Sequence, residues 1–417
     1  MPEADLRAAE STGPGPAAPL RVLMLAPAGS AHTRRWADAL TGRGHAVTVC
    51  SWHHPGPGSG AGDWRLSCAP AAGSWWPWRV LRTAGWLRRE VRRIRPDVIH
   101  VHTLGVHGAL SLALPTRAAP SVVTPWGSEL RAAERHAGRA LVAGLALRRA
   151  AWVLPTSREV AAKVVSRYRV PSALVTVLSW GVPDDLLDGG SDADLDGDEG
   201  HDARLTRARF GIPADATVVL SIRTTAPVYR SQEILEAFAA ATRVRPDLHL
   251  VLLAGHRPAQ PGAARAQQDY LTLLRGRARQ AADRITVIDR LLGQEELFAL
   301  MRASEVAVSV PCADQRSSSV LEAAAAGCRL LLADIAPYRE LAADGLLADL
   351  LAEPLHTALA NALTAAEPLG AADRAANREL IGRTERGSVQ IARLERLYRD
   401  LVRPQPDTRA YPRATGR

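Results

Sequence analysis

Residues Asp314–Gly327 read DQRSSSVLEAAAAG: one acid, three serines, then an alanine-rich run carrying a second acid, Glu322, and a glycine to stop it. The run predicts a short helix. Just before it, VAVSVP (Val306–Pro311) is a short, valine-rich apolar segment of the kind that forms a buried parallel strand. Strand, polar loop and helix start together make an anion site, because the unpaired N–H groups of a first helical turn and the helix dipole both favour phosphate. Asp314 and Glu322 flank that site as acceptors for hydroxyl hydrogens. A phosphate cradle between two such carboxylates suits a nucleotide-sugar. A second reading stays open: Ser319-x-x-Glu322 is a capping box, which needs no ligand.

Outward from this stretch the chain alternates strands and helices in two blocks. The first holds Arg21–Pro27, Ala46–Ser51, Asp97–His102, Ser121–Gly127, Ala151–Ser157 and Leu174–Val182. The second holds Thr217–Arg223, Leu248–Gly255, Ile285–Arg290, Val306–Pro311 and Arg329–Ile335. Buried strands separated by helices predict an α/β protein with two doubly wound, Rossmann-like parallel sheets, whose ligands bind beyond the strand C-termini. The expected division is a disordered lead-in over 1–19 and an N-terminal acceptor domain over 20–183. An acidic flexible linker follows over 184–205, then a nucleotide-sugar domain over 206–371. A long helix over 372–403 returns to the first domain, before a disordered tail over 404–417. The linker, DDLLDGGSDADLDGDEGHDA, has many acids and no Lys or Arg. Its alternating Asp192, Asp194, Asp196 and Asp198 lack the rest of a calcium loop, so no metal site is expected there.

The Asp314–Glu322 pattern resembles the Glu-x7-Glu signature of retaining glycosyltransferases of family 4, with aspartate in place of the first glutamate. AHTRRWADALTGRGHAVTV (Ala31–Val49), DVIHVH (Asp97–His102) and TPWGSEL (Thr124–Leu130) resemble that family's opening helix and later strands, and the resemblance spans about Arg21 to Arg403. It implies the GT-B architecture, two Rossmann-like domains facing a central cleft. It also implies that Asp314 faces the donor sugar, Ser317, Ser318 and Ser319 line the diphosphate, and Glu322 holds the ribose. Arg223 fits the family's diphosphate-clamping arginine. The lysine expected five residues later is Val228 here, so Arg230 is the substitute. Where many members place a histidine, this chain has Trp126, which leaves His102 as the catalytic candidate on the acceptor side. Gly29, His32, Trp126 and Glu129 are the remaining acceptor-side candidates, although Glu129 also suits a helix's first turn. His102 equally fits a structural role, and Arg230 a solvated helix start. The family's retaining chemistry needs positive charge for the leaving diphosphate rather than a strong base, so no metal or other cofactor is expected.

With 417 residues the chain has room for two or three domains, and a 47% hydrophobic content is ordinary for a globular protein. Of its 52 Lys and Arg residues all but Lys163 are arginine, as expected from a GC-rich, for example actinobacterial, genome, so the net charge of +9 is partly codon bias. Zinc-finger spacing and aromatic RNA-binding signatures are absent, and nucleic acid is not an expected partner. Apolar runs fall short of the roughly 20 residues of a membrane span. The four cysteines show neither close pairing nor metal-ligand spacing, and a reduced cytoplasmic protein is expected. Ser74–Pro96 packs four tryptophans and seven arginines around an inward stripe of Val80, Ala84, Leu87, Val91 and Ile94. That stripe is a core face; Trp and Arg outside it, between Trp75 and Arg95, offer an anionic membrane or a bulky acceptor a surface. The first expectation is a hexosyltransferase-type enzyme that uses a nucleotide-sugar to decorate a small molecule such as a natural product. A membrane-associated transferase with a lipid-linked acceptor is the second. A GT-B-like epimerase or non-catalytic sugar-nucleotide binder is the third.

Overall fold

The computed structural model describes residues 18–55, 62–70, 76–115, 118–188, 198–255, 261–278 and 283–403. These carry two six-stranded sheets, parallel throughout. The first contains β1 (Arg21–Leu25), β2 (Ala46–Ser51), β3 (Arg65–Cys68), β4 (Val98–His102), β5 (Ser121–Thr124) and β6 (Trp152–Val153), in the order β3-β2-β1-β4-β5-β6. The second contains β7 (Thr217–Thr224), β8 (Leu248–Leu253), β9 (Ile285–Ile288), β10 (Val306–Ser309), β11 (Arg329–Ala333) and β12 (Asp349–Leu351), ordered β12-β11-β10-β7-β8-β9. Both are the doubly wound order, in which strand succession reverses at one point and leaves a crevice at the strand C-termini.

Burial explains the apolar runs. Along β7, Val218, Leu220 and Ile222 face one core cluster and Val219 faces the other, so both sides of the strand are covered. In the second sheet the reversal lies between β7 and β10, paired Val306 with Val219 through Val308 with Ser221. Chain leaving β7 after Arg223 and chain leaving β10 toward Asp314 therefore emerge side by side.

Contacts divide the molecule into two compact units, one of residues up to Thr124, His136–Val153 and from Glu395, the other of Pro125–Arg135 and Leu154–Leu394. The break thus falls earlier than the expected boundary at 183. Leu174–Val182 is not a strand: it leaves a short 3-10 turn at Ser172–Leu174, buries Leu178, Trp180 and Val182, and forms an isolated Val182–Arg386 bridge. Residues 178–182 are buried in succession, so the segment has the apolar content of a strand without a ladder partner. The expected flexible linker is helical in its described parts, Asp184–Asp188 and Asp198–Arg209. Leu186 and Leu187 join the second unit's core, while the Arg207 guanidinium is bound by Ala303, Ala214 and Ala216 carbonyls and by Glu305. Asp192, Asp194 and Asp196, like most of the lead-in and the tail, lie outside the described residues. The long C-terminal helix is two, Ala371–Thr384 and Gly387–Val402. In the first unit Tyr398 of the latter lies 2.5 Å from His100 Nδ1.

Candidate active site

The site is built where β10 ends. Ser317 is the N-cap of helix Ser318–Ala325, with extended φ/ψ of −74° and 121°, and Gly327 leaves it at a φ of 92° that suits glycine. With the helix starting at Ser318, Ser319 lies inside the first turn and Glu322 in mid-helix. Ser319 is therefore not a cap, and the capping-box reading of Glu322 falls. Glu322 is only 4% exposed, a carboxylate buried one turn below the serines.

Arg223 and Asp314 meet across the β7–β10 reversal. Arg223 Nη1 donates to Ser317 Oγ at 2.7 Å, and Nη2 lies 3.0 Å from the Tyr229 hydroxyl and 3.4 Å from Asp314 Oδ1. Its guanidinium carbon also sits 4.6 Å from the Tyr229 ring centre, a cation–π contact. The other oxygen of Asp314 accepts from the Tyr338 hydroxyl at 2.8 Å, and Tyr338 is bonded in turn to Ser309 Oγ at 2.8 Å. Burial is the largest single influence on the Arg223 pKa and pulls it down, but Asp314, Tyr229 and Tyr338 together outweigh it and leave it raised. Burial, then the Asp314 charge, lift Tyr338 well above the usual tyrosine range, so it stays a donor. Arg223, Asp314 and Ser317 thus form one cluster with a permanent cation at the start of a helix. A fixed cation beside a helix start is an arrangement suited to an anion.

Arg230 is not part of that cluster. It caps helix Ser231–Ala241 with a left-handed φ of 55°, and its guanidinium is bound by Glu233 at 2.6 and 2.5 Å and by Glu353 at 2.6 Å. Hydrogen bonds to Glu233 and Glu353 raise its pKa. Expected as half of a phosphate clamp, it spends its charge locally on two carboxylates.

The acceptor-side candidates divide. In the first unit Gly29 is exposed and His32 half-buried around the start of helix Ala31–Gly42. His102 is completely buried, with Thr33 Oγ1 at 3.5 Å and ring contacts to Trp36 and His100. Burial holds it well below the usual histidine range, so it is a neutral imidazole inside that unit's core. In the second unit the Trp126 ring packs edge-on against Trp180, and the Trp126 backbone N–H donates to Glu129 Oε1 at 2.6 Å. Glu129 Oε2 accepts from Ser128 Oγ, so this acid folds back over the start of its own helix.

Four residues of the site escaped the sequence reading. Tyr229 and Tyr338 grip Arg223 and Asp314. Gln315 bonds Thr156 and abuts Gly127, where a Cβ would lie 2.6 Å from the Gln315 amide nitrogen. Arg316 binds Asp344 and Glu385. A pocket opens beside Asp314 and Gln315, lined also by Arg131, Glu159, Lys163 and Pro337. Only Tyr229, six residues after Arg223, had a local signal. Elsewhere, on the Trp-rich helix Trp76–Ile94, Trp86 is buried with Leu87 and Val91 rather than available to a membrane. Among the described residues no group of three His, Cys, Asp or Glu could hold a metal ion, and no helix is long and apolar enough to cross a membrane.

Residues 29–186 match the model of Glycosyltransferase Family 4. No curated protein matches the chain. Solved structures resemble it over nearly its whole length. HepE of Anabaena in complex with UDP has a TM-score of 0.70 at 15% identity, covering 91% of this chain and 99% of that one. Sucrose-phosphate synthase of Thermosynechococcus elongatus scores 0.71 at 18% identity, covering 91% and 98%. The α,α-trehalose 6-phosphate synthase of Burkholderia multivorans scores 0.68 at 16%, covering 92% and 99%. With its two doubly wound sheets, this chain has the GT-B fold of these structures, and its residues 29–186 are similar to Glycosyltransferase Family 4.

Proposed function

We propose that this protein is a retaining glycosyltransferase that moves a hexose from a nucleotide-diphosphate sugar, in the first instance a UDP-sugar, to a hydroxyl of a small-molecule acceptor. The observation that carries the reading is the Arg223–Ser317–Asp314 cluster at the start of helix Ser318–Ala325. Diphosphate binds against Arg223, the serines and the helix amides, the sugar meets Asp314, and the ribose reaches Glu322. As the sugar–phosphate bond breaks, charge grows on the leaving diphosphate, and the fixed guanidinium stabilises it most at that moment. Arginine and amides supply that charge, so transfer needs no metal. HepE, the neighbour solved with UDP, was also solved with UDP-glucose, which makes UDP-glucose the first donor to try.

A second reading, transfer to a lipid-linked acceptor at a membrane surface, is favoured by the exposed Leu81, Arg82, Arg88, Arg89 and Arg92 on helix Trp76–Ile94. One experiment tests both. UDP release is measured with a panel of UDP-sugars, with and without anionic vesicles and with EDTA present, and the product anomer is read by NMR. Release that needs a divalent metal, or an inverted anomer, overturns the first reading; release that requires vesicles selects the second.

A further inference from the structure

We propose that Arg316 is a positioning residue that holds Asp314 at the donor sugar, and so sets how strongly the enzyme prefers a UDP-sugar to UDP alone. This rests on the donor-site reading above and names a part of the site which that reading leaves unassigned. Three consecutive loop residues reach three different parts of the second unit: Asp314 reaches Arg223 and Tyr338, Gln315 reaches Thr156, and Arg316 reaches Asp344 and Glu385.

The Arg316 contacts are built rather than incidental. Its side chain is 11% exposed, with Nε and Nη2 on Glu385 Oε1 at 2.9 and 2.7 Å and Nη1 on Asp344 Oδ2 at 2.9 Å. Arg158 binds the other oxygen of Asp344, so guanidinium groups hold that carboxylate from both sides. Asp344 is the C-cap of helix Ala336–Ala343, the helix that carries Tyr338. One short helix therefore grips the donor loop at two points, Asp314 from its first turn and Arg316 from its far end. Glu385 stands on an equally fixed base. Its carbonyl accepts from Val182 N–H at 2.7 Å, and Gly387 packs so closely on Gly181 that a Cβ there would lie 2.7 Å from Gly387 Cα.

Aspartate makes this anchoring matter. It has one methylene fewer than the glutamate of the family pattern, so its carboxylate reaches the sugar only where the backbone places it. UDP, which lacks the sugar, does not use Asp314 and is held by Arg223, the serines and Glu322.

The test is calorimetric titration of the full chain with UDP-glucose and with UDP. Arg316→Gln should weaken UDP-glucose about tenfold, as expected when a positioning contact is lost, while leaving UDP within about twofold. Arg316→Lys keeps the charge without the fork, should remain folded even if the glutamine variant does not, and should lose part of the preference for UDP-glucose. Equal losses for the two ligands in a folded variant, or no loss, would overturn the proposal. A wild-type chain that binds neither ligand would sink the donor-site reading beneath it instead.

Discussion

Arg223 and Asp314 face each other at 3.4 Å, 91 residues apart in the chain, with Tyr229 on the arginine and Tyr338 on the aspartate. Such a buried pair is costly to break on one side only, since the remaining charge has no water to compensate it. Here the pair also fixes a cation next to a helix start.

Arg223→Ala should therefore lower turnover on the order of a hundredfold or more, and affect donor binding less, because leaving-group charge peaks in the transition state. Steady-state kinetics with the productive donor and acceptor checks this. Near-wild-type turnover would remove Arg223 from the clamp.

Glu322→Ala should abolish measurable donor binding in a protein that still folds. Glu322 is mid-helix, and alanine is the best helix former, so the substitution favours the helix. Calorimetry with UDP-glucose reads the outcome, and unchanged affinity in a folded variant would mean that the ribose does not reach this acid.

Arg230→Ala separates the corrected assignment from the expected one. With its guanidinium held by Glu233 and the largely exposed Glu353, its removal should leave turnover within about threefold of wild type and cost about 1 kcal/mol or less of stability. A hundredfold fall in turnover would restore Arg230 to the phosphate clamp.

Thiol labelling probes the same loop without mutation. Cys312, two residues before Asp314, is exposed, whereas Cys50 and Cys328 are buried and their thiols are pushed up to about 12 by burial. N-ethylmaleimide should modify Cys312 ahead of both, and UDP-glucose should slow that reaction. Peptide mapping by mass spectrometry decides it; labelling of Cys312 at the same rate with and without donor counts against the site.

Acid should destabilise the protein through the first unit's histidines. Burial lowers His100 to about 3 and His107 to about 4, against an ordinary value near 6.5. Between those limits the unfolded chain takes up protons that the folded chain refuses, so stability is full above about pH 6.5 and falls as pH drops. Each histidine contributes a slope of up to about 1.4 kcal/mol per pH unit, and adds no further loss below its folded value. Urea midpoints from pH 7.5 to 4.5 test this, with His100→Gln reducing the slope. Midpoints that stay flat or rise as pH drops would contradict it.

Alternating apolar runs and polar loops determined much of this protein before any coordinates. A strand buried on both faces must be apolar along its length, so β7, β8, β10 and β11 announce themselves, and their alternation with helices leads to doubly wound sheets. The pairing of Arg223 with the Asp314 loop was legible for the same reason, because both sit at the ends of recognisable strands. Two of the four edge strands were not: β3 and β12 are short and half-buried, and carry no continuous apolar run. Leu174–Val182 misled in the opposite sense, since a buried apolar segment without a neighbouring strand reads in sequence like a strand. Tertiary structure alone decided where the charges go. Arg230 finds Glu353 across 123 residues, Tyr338 finds Asp314 across 24, and Arg316 finds Glu385 across 69. A long, charged side chain is acceptable at a helix start, in a loop or in a buried pair, so its local sequence fits all three. Which one it adopts depends on the carboxylate that the fold brings within about 3 Å, and that distance exists only once the sheets have formed.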